Sequence, residues 1–145
     1  AEFGADLALD ARAPILEAVM KATGDKGVDL IVDSVGASVF EENLKSLAIK
    51  GRLVNIGRLG GASAKLDLVE LWRKRVKLIG VTFRTRTEAE RIACIQACAR
   101  DLLPALESGA LRWPIDRTFP MESIAEAHAY MLADRHVGKI VVTVE

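Results

Sequence analysis

The sequence has no excess of either charge: 20 lysines and arginines stand against 20 aspartates and glutamates in 145 residues. That excludes the strongly basic footprint of a nucleic-acid-binding domain. No apolar run approaches the ~20 residues needed to cross a bilayer. The opening residues, Ala1-Glu2-Phe3-Gly4, carry neither the charged nor the apolar stretch of a secretion signal, and no Met marks a native start. Cysteine is scarce. Cys94 and Cys98 lie four residues apart in a helical pattern, poorly placed for an intrachain disulfide and without the CxxC spacing or nearby histidine of a metal site. They read as small core residues, and the composition predicts a reduced, cytoplasmic setting. There is no internal repeat and no low-complexity tract. What the chain does have is apolar surface, 50% of its residues, enough to exclude disorder and to bury roughly two-thirds of the surface of a single domain.

Helix and strand patterns alternate. Leu7 to Leu9 reads as a short strand; Pro14 opens a helix in which Ile15, Leu16, Val19 and Met20 recur until Gly24. Val28 to Asp33 reads as a buried strand. Ser38 with Glu41 is predicted to form a capping box for a helix lined by Phe40, Leu44 and Leu47 and closed by Gly51. Leu53 to Ile56 is again a strand, followed by Gly57-Arg58-Leu59-Gly60-Gly61, a short helix from Asp67 to Arg75 and a strand from Val76 to Thr82. Thr87 and Glu90 cap a long helix whose Ile92, Ile95, Ala99, Leu102 and Leu106 follow helical spacing, with Pro104 expected to kink it before Gly109. Ile115 to Thr118, Met121 to Ala133 and Lys139 to Val144 complete the series as strand, helix and β-branched strand. Strands separated by capped helices argue for βαβ units, a parallel sheet and an α/β fold.

Few residues point to chemistry by themselves. Gly57 to Gly61 follows a strand but lacks GxGxxG spacing, so it reads as a flexible turn rather than a phosphate loop. Arg84-Thr85-Arg86 lies past a strand's carboxyl end, where it either meets an anionic ligand or pairs with Glu88 or Glu90. Arg73, Lys74, Arg75 and Lys77 read as a solvated face. His128, on a stripe with Ile124 and Met131, reads as a satisfied, half-buried histidine; His136 has no carboxylate partner that the sequence places. Asp33 either faces a ribose hydroxyl or satisfies loop amides. No triad or carboxylate dyad emerges.

Three stretches taken together carry more. Gly4-Ala5-Asp6, Gly27-Val28-Asp29-Leu30-Ile31-Val32-Asp33-Ser34-Val35-Gly36 and Leu47-Ala48-Ile49-Lys50-Gly51-Arg52-Leu53-Val54-Asn55-Ile56-Gly57 closely resemble the nucleotide-binding domain of medium-chain dehydrogenases/reductases. Phe83-Arg84-Thr85-Arg86, Ile115 to Pro120, Glu126-Ala127-His128 and Gly138 to Val142 resemble the quinone oxidoreductase branch, which transfers hydride from NADPH to quinones or activated enones without zinc.

The resemblance implies a partial doubly wound (Rossmann) parallel sheet lacking its first two strands. Residues 1–110 would be the partial NAD(P)-binding domain, and residues 111–145 a helix and strand segment that returns to a GroES-like catalytic domain. Leu7 to Leu9 would be the family's third strand and Val28 to Val32 its fourth. An exposed apolar edge at Val28 to Val32 is an aggregation hazard. It is therefore expected to draw Leu7 to Leu9 against itself, to associate with another chain, or to persist as a cleaved piece of a whole protein.

The resemblance further places Val35 and Gly36 near the nicotinamide ribose, Gly57 and Arg58 near the nicotinamide, and the Phe83 to Arg84 backbone at its carboxamide. It implies NADP, with NAD possible, no metal in this stretch, no catalytic side chain, and a homodimer joined through Val76 to Thr82. A tyrosine that often helps hold the 2′-phosphate in this family is replaced by Ala11, with Arg12 beside it as a substitute. The function implied is the nucleotide-binding part of an NAD(P)H-dependent quinone or enone reductase, inactive by itself; the alternatives are part of a zinc-dependent alcohol dehydrogenase or a non-catalytic α/β module.

Overall fold

The computed structural model describes residues 4–10 and 12–144. In chain order the elements are α1 (Leu16–Ala22), β1 (Val28–Asp33), α2 (Phe40–Ser46), β2 (Leu47–Asn55), α3 (Leu68–Lys74), β3 (Lys77–Gly80), α4 (Glu88–Glu107), β4 (Ile115–Pro120), α5 (Ile124–Leu132) and β5 (Lys139–Thr143). Two compact units divide between Thr85 and Arg86. The first holds a parallel sheet of order β1-β2-β3, the second a parallel pair β4-β5. The α/β class and the parallel pairing read from the alternating pattern are what the chain forms.

In the first unit, Ile31, Leu53 and Leu78 stand in register across the three strands. Because side chains alternate along a strand, that row shares one face. Leu53 joins Leu44, Leu47 and Val76 in the buried core, against which Val28, Ile31, Phe40 and Leu71 pack. Full burial of each leucine contributes about 1.5–3 kcal/mol. The neighbouring row faces the other way: Leu30 and Val32 of β1 are 47% and 60% exposed.

The expected strand at Leu7 to Leu9 does not form, and both leucines are exposed. The chain turns instead. Asp10 accepts from the backbone N–H of Arg12 at 3.0 Å and takes its guanidinium side-on at 2.7 Å and 2.9 Å, while the Ala13 N–H donates to the Asp10 carbonyl at 3.0 Å. β1 therefore stays at the edge of its sheet, and the expected pairing with Leu7 to Leu9 is absent. The Arg12 fork is committed to Asp10, and Ala11 lies outside the described residues.

Helix ends differ from the sequence reading in an instructive way. The Ser38–Glu41 capping box is not formed: a 3-10 turn, Ala37–Val39, precedes α2, and Glu41 pairs with Lys45 at 2.7 Å. Glu42, the next residue, does the capping, but for another helix. Its Oε1 accepts from the N–H groups of Ile15 and Leu16 at 2.6 Å and 2.8 Å, satisfying the open end of α1. Gly51 does not close α2. The helix stops at Ser46 because Leu47 turns extended, and Lys74 of α3 donates from Nζ to the carbonyls of Lys45 and Leu47 at 2.6 Å and 2.8 Å. A cation on a helix C-terminus is the favourable sign. Lys74 thus leaves the solvated face expected of it, while Arg73 pairs with Glu70 on the exposed side of α3. Asp67 caps α3 by accepting from the N–H groups of Val69 and Glu70.

In the second unit the Thr87–Glu90 capping box forms as read, and α4 continues through Pro104 to Glu107. Its apolar stripe does not make a core: none of its residues is buried, Ile95 and Cys98 are exposed, and Cys94 is half-buried. The buried centre of this unit is Phe119 of β4 and Ala127 of α5. Tyr130 donates its hydroxyl to Asp116 at 2.8 Å, and the Arg117 guanidinium lies 4.5 Å from the centre of the Tyr130 ring. Asp116 is also the carboxylate near His136 that the sequence did not place. His128 is exposed rather than half-buried, on the rim of a shallow hollow with Ile124 and Met131. Among the described residues no helix is long and apolar enough to cross a membrane.

Two predictions follow from these contacts. Glu42→Ala should cost about 1–2 kcal/mol in urea unfolding, the range for a lost N-terminal cap, whereas Glu41→Ala, which breaks an exposed pair, should cost under about 0.5 kcal/mol. The second concerns acid. Backbone and hydroxyl hydrogen bonds from Thr87 hold the Glu90 carboxyl below its ordinary 4.5, and the Val137 N–H with the Tyr130 hydroxyl holds Asp116 below 3.8. A carboxyl lowered by folding stabilises the fold above its ordinary value and loses that contribution as pH falls through its folded value. Thermal unfolding followed below pH 3.8 should therefore show the second unit of Asp116→Asn less acid-sensitive than that of the wild type.

Candidate functional site

Parallel strands bring their carboxyl ends to one edge, and the loops beyond that edge are where ligands of doubly wound sheets sit. In the first unit the edge consists of Asp33, Asn55 and Gly80, the last residues of β1, β2 and β3, which pair directly across the sheet. Val81 extends the ladder by donating to the Asn55 carbonyl at 3.1 Å. All six residues singled out for the cofactor leave from this edge: Val35 and Gly36 after β1, Gly57 and Arg58 after β2, Phe83 and Arg84 after β3.

The first two loops are stitched together. Asp33 is 3% exposed and forms no ion pair among the described residues. Its Oδ1 accepts from the N–H groups of Val35 and Gly36 at 2.8 Å and 2.9 Å, and its Oδ2 from Asn55 Nδ2 at 3.3 Å. Its backbone carbonyl accepts from Ile56 and Gly57 at 2.8 Å and 3.2 Å. Asn55 Nδ2 also donates to the Gly57 carbonyl at 2.9 Å. Further out, the Gly60 N–H donates to the Val35 carbonyl at 2.7 Å and the Ala37 N–H to the Gly61 carbonyl at 3.2 Å. Of the two roles left open for Asp33, holding loop amides is the one the geometry fills.

Glycine is required where these loops touch. A Cβ on Gly57 would lie 2.1 Å from the Ser34 carbonyl oxygen, and one on Gly36, whose φ is 90°, would lie 2.9 Å from that of Gly61. Backbone meets backbone here, with no room for a side chain.

The same hydrogen bonds decide what the edge can bind. The N–H groups of Val35, Gly36, Gly57, Gly60 and Gly61 are all engaged within the protein, the last with the Arg58 carbonyl at 3.1 Å. Gly57 to Gly61 is therefore a pinned turn rather than a phosphate cradle, which needs amides pointing outward. It is also less free than the flexible turn read from the sequence. What faces outward is Val35, Arg58 and Phe83, all exposed. Between the loops lies a cleft of about 220 Å³ bounded by Gly36, Phe40, Asn55, Arg58, Gly61 and Leu66. A larger cleft of about 840 Å³ opens at the amino end of the strands, beside Leu16, Met20 and Ile49. Of the four cations on its wall, Lys26, Lys45, Arg73 and Lys74, three are already engaged: Lys45 with Glu41, Arg73 with Glu70, Lys74 with the carbonyls of Lys45 and Leu47. It lies away from the edge where the sheet's topology places a ligand.

Asn55 was not singled out by sequence reasoning. The sequence carries little sign of it: Asn55 sits inside the strand read as Leu53 to Ile56, and its pairing with Asp33 is a matter of strand register. Gly57→Ala tests the packing directly. Thermal or urea unfolding should show a loss of about 1–3 kcal/mol, the ordinary cost of overpacking, while Gly24→Ala, whose new Cβ meets nothing within 4 Å, would show only the smaller strain of its positive φ.

The chain matches the zinc-binding dehydrogenase family over residues 3–142. It is 28% identical over 134 residues to quinone oxidoreductase-like protein 2 of Bos taurus, covering 92% of this chain and 38% of that protein. It is 30% identical over 130 residues to the 2-haloacrylate reductase of a Burkholderia species, covering 87% and 38%. Among solved structures, an NAD-dependent alcohol dehydrogenase superposes with a TM-score of 0.79 at 28% identity, covering 98% of this chain and 39% of that one. The chain thus spans about two-fifths of the length of these relatives. In agreement with the resemblance read from its motifs, it belongs to the zinc-binding dehydrogenase family of medium-chain dehydrogenases/reductases.

Proposed function

We propose that these residues form the nicotinamide-facing part of an NAD(P)H-dependent oxidoreductase that passes hydride to a quinone or an activated enone. The observation that carries the reading is the convergence of three loops on one sheet edge whose inner amides are already engaged. Such an edge suits the uncharged nicotinamide and its ribose better than the pyrophosphate. Val35 and Gly36 would lie along the ribose, Gly57 and Arg58 against the nicotinamide, and the Phe83 to Arg84 backbone would meet the carboxamide. When bound, reduced nicotinamide supplies the hydride. The chain's own residues orient it and keep that face apolar through Val35 and Phe83; no side chain among them is assigned a proton-transfer step.

The quinone or enone preference draws on the names of the relatives, a quinone oxidoreductase-like protein and a reductase of 2-haloacrylate. NADP is the cofactor we favour over NAD. Among the described residues no three of His, Cys, Asp and Glu gather to hold a metal ion, so these residues do not fit the zinc of the family's name and no step is drawn through it. We also propose the domain division at residue 110, although the compact units divide at Thr85, and a homodimer joined along Val76 to Thr82, where β3 is the outer strand of its sheet.

The test is isotope transfer. NADPH deuterated at nicotinamide C4, incubated with the whole enzyme of which these residues form part and a quinone or an α,β-unsaturated carbonyl compound, should deliver deuterium to the enone product or reduce the quinone; these residues alone should do neither. Arg58→Ala should raise the KM for NADPH by about tenfold with a smaller change in kcat. Zinc-dependent oxidation of a simple alcohol with NAD, and no reduction of either acceptor, would favour the alcohol dehydrogenase reading suggested by the structural relative.

A further inference from the structure

We propose that Asp33 and Asn55 are a positioning pair: together they set the distance between the loop after β1 and the loop after β2, and so the width of the seat for the nicotinamide. This rests on the nicotinamide reading above. A carboxylate that is 3% exposed carries a desolvation cost that only good hydrogen bonds offset. Asp33 meets that cost with N–H donors: Val35 and Gly36 of the loop after β1 on one side, and on the other the side chain of Asn55, which closes β2 where the second loop begins.

Asn55 completes the link because both its near neighbours, Asp33 Oδ2 and the Gly57 carbonyl, are acceptors. Only the NH₂ end of the amide serves both, so its orientation is fixed. The chain of bonds Gly36 N–H, Asp33, Asn55, Gly57 carbonyl then runs across the sheet edge, joining two of the residues assigned to the cofactor. Neither Asp33 nor Asn55 need touch the cofactor for this role.

The arrangement makes a specific variant informative. Asp33→Asn keeps an oxygen for the N–H groups of Val35 and Gly36, but turns its own NH₂ toward that of Asn55. If Asn55 flips to relieve this, its oxygen faces the Gly57 carbonyl instead. Either way the loop after β2 loses its side-chain tie and is left with backbone bonds such as those of Ile56 and Gly57 to the Asp33 carbonyl, while the loop after β1 keeps its own.

Two readouts separate the proposal from the reading it rests on. Amide hydrogen exchange needs no cofactor: in Asp33→Asn, exchange at residues 56–58 should accelerate about tenfold or more, the sign of local opening. Unchanged exchange there overturns the pair. In steady-state assays of the whole enzyme of which these residues form part, Asp33→Asn should raise the KM for NADPH or NADH about tenfold with a smaller change in kcat, because misplacement of a binding loop acts on geometry. A purely structural role would lower the folded fraction and hence the rate, leaving KM where it was, and that outcome also overturns the proposal. Accelerated exchange in a protein whose wild type shows no nicotinamide binding would uphold the pair and sink the nicotinamide reading. Should Asp33→Asn fail to fold, Asn55→Ala leaves the Val35 and Gly36 bonds to Asp33 in place and should loosen residues 56–58 alone.

Discussion

One buried carboxylate organises the end of the sheet. Asp33 closes β1 with its side chain turned inward and its backbone carbonyl turned toward β2, so five donors, four from two different loops and one from the end of β2, converge on a single residue. With those bonds made, the loops approach until backbone meets backbone, and glycine becomes the residue that fits at 36 and 57. The consequence reaches function. Amides that hold the loops together are not available to hold a phosphate, and the edge that remains presents apolar and cationic side chains around a small cleft.

The rest of the first unit works to put Asp33 and Asn55 side by side. The parallel register of β1 on β2 sets that pairing, and the register is fixed because a slip of one residue would turn Ile31 of β1 away from the core of Leu44, Leu47 and Leu53. Helix ends are secured by neighbours rather than locally: Glu42 of α2 on the start of α1, Lys74 of α3 on the end of α2. The three helices and the sheet are therefore linked by charge-assisted bonds as well as by the core.

The sequence was legible where structure is decided within a few residues. The Thr87–Glu90 box and the strands at Val28 and Lys139 are local patterns and appear as read, whereas the strand read from Leu53 to Ile56 runs from Leu47 to Asn55 and takes in the end of the expected second helix. It was misleading where a distant partner decides. Ser38 and Glu41 have the spacing of a capping box, yet a 3-10 turn and a Lys45 partner displace it. Gly51 has the look of a helix stop, yet Lys74, 23 residues on, supplies the cap. Leu7 to Leu9 has strand composition, yet the Asp10–Arg12 turn follows it and it pairs with no strand, leaving β1 at the sheet edge. The stripe on α4 is amphipathic in sequence and exposed in the fold. The site divides the same way: its six residues were placed by resemblance, while the Asp33–Asn55 link depends on strand register, which one sequence does not display.

The central claim is that the carboxyl edge of the first sheet seats a nicotinamide. Hydrogen-exchange mass spectrometry of the full chain with and without NADPH tests it most directly. The account predicts protection confined to residues 35–36, 57–58 and 83–84 on addition of the cofactor. Protection at the amino-end cleft around Leu16, Met20 and Ile49, or none at any of the three loops, would contradict it.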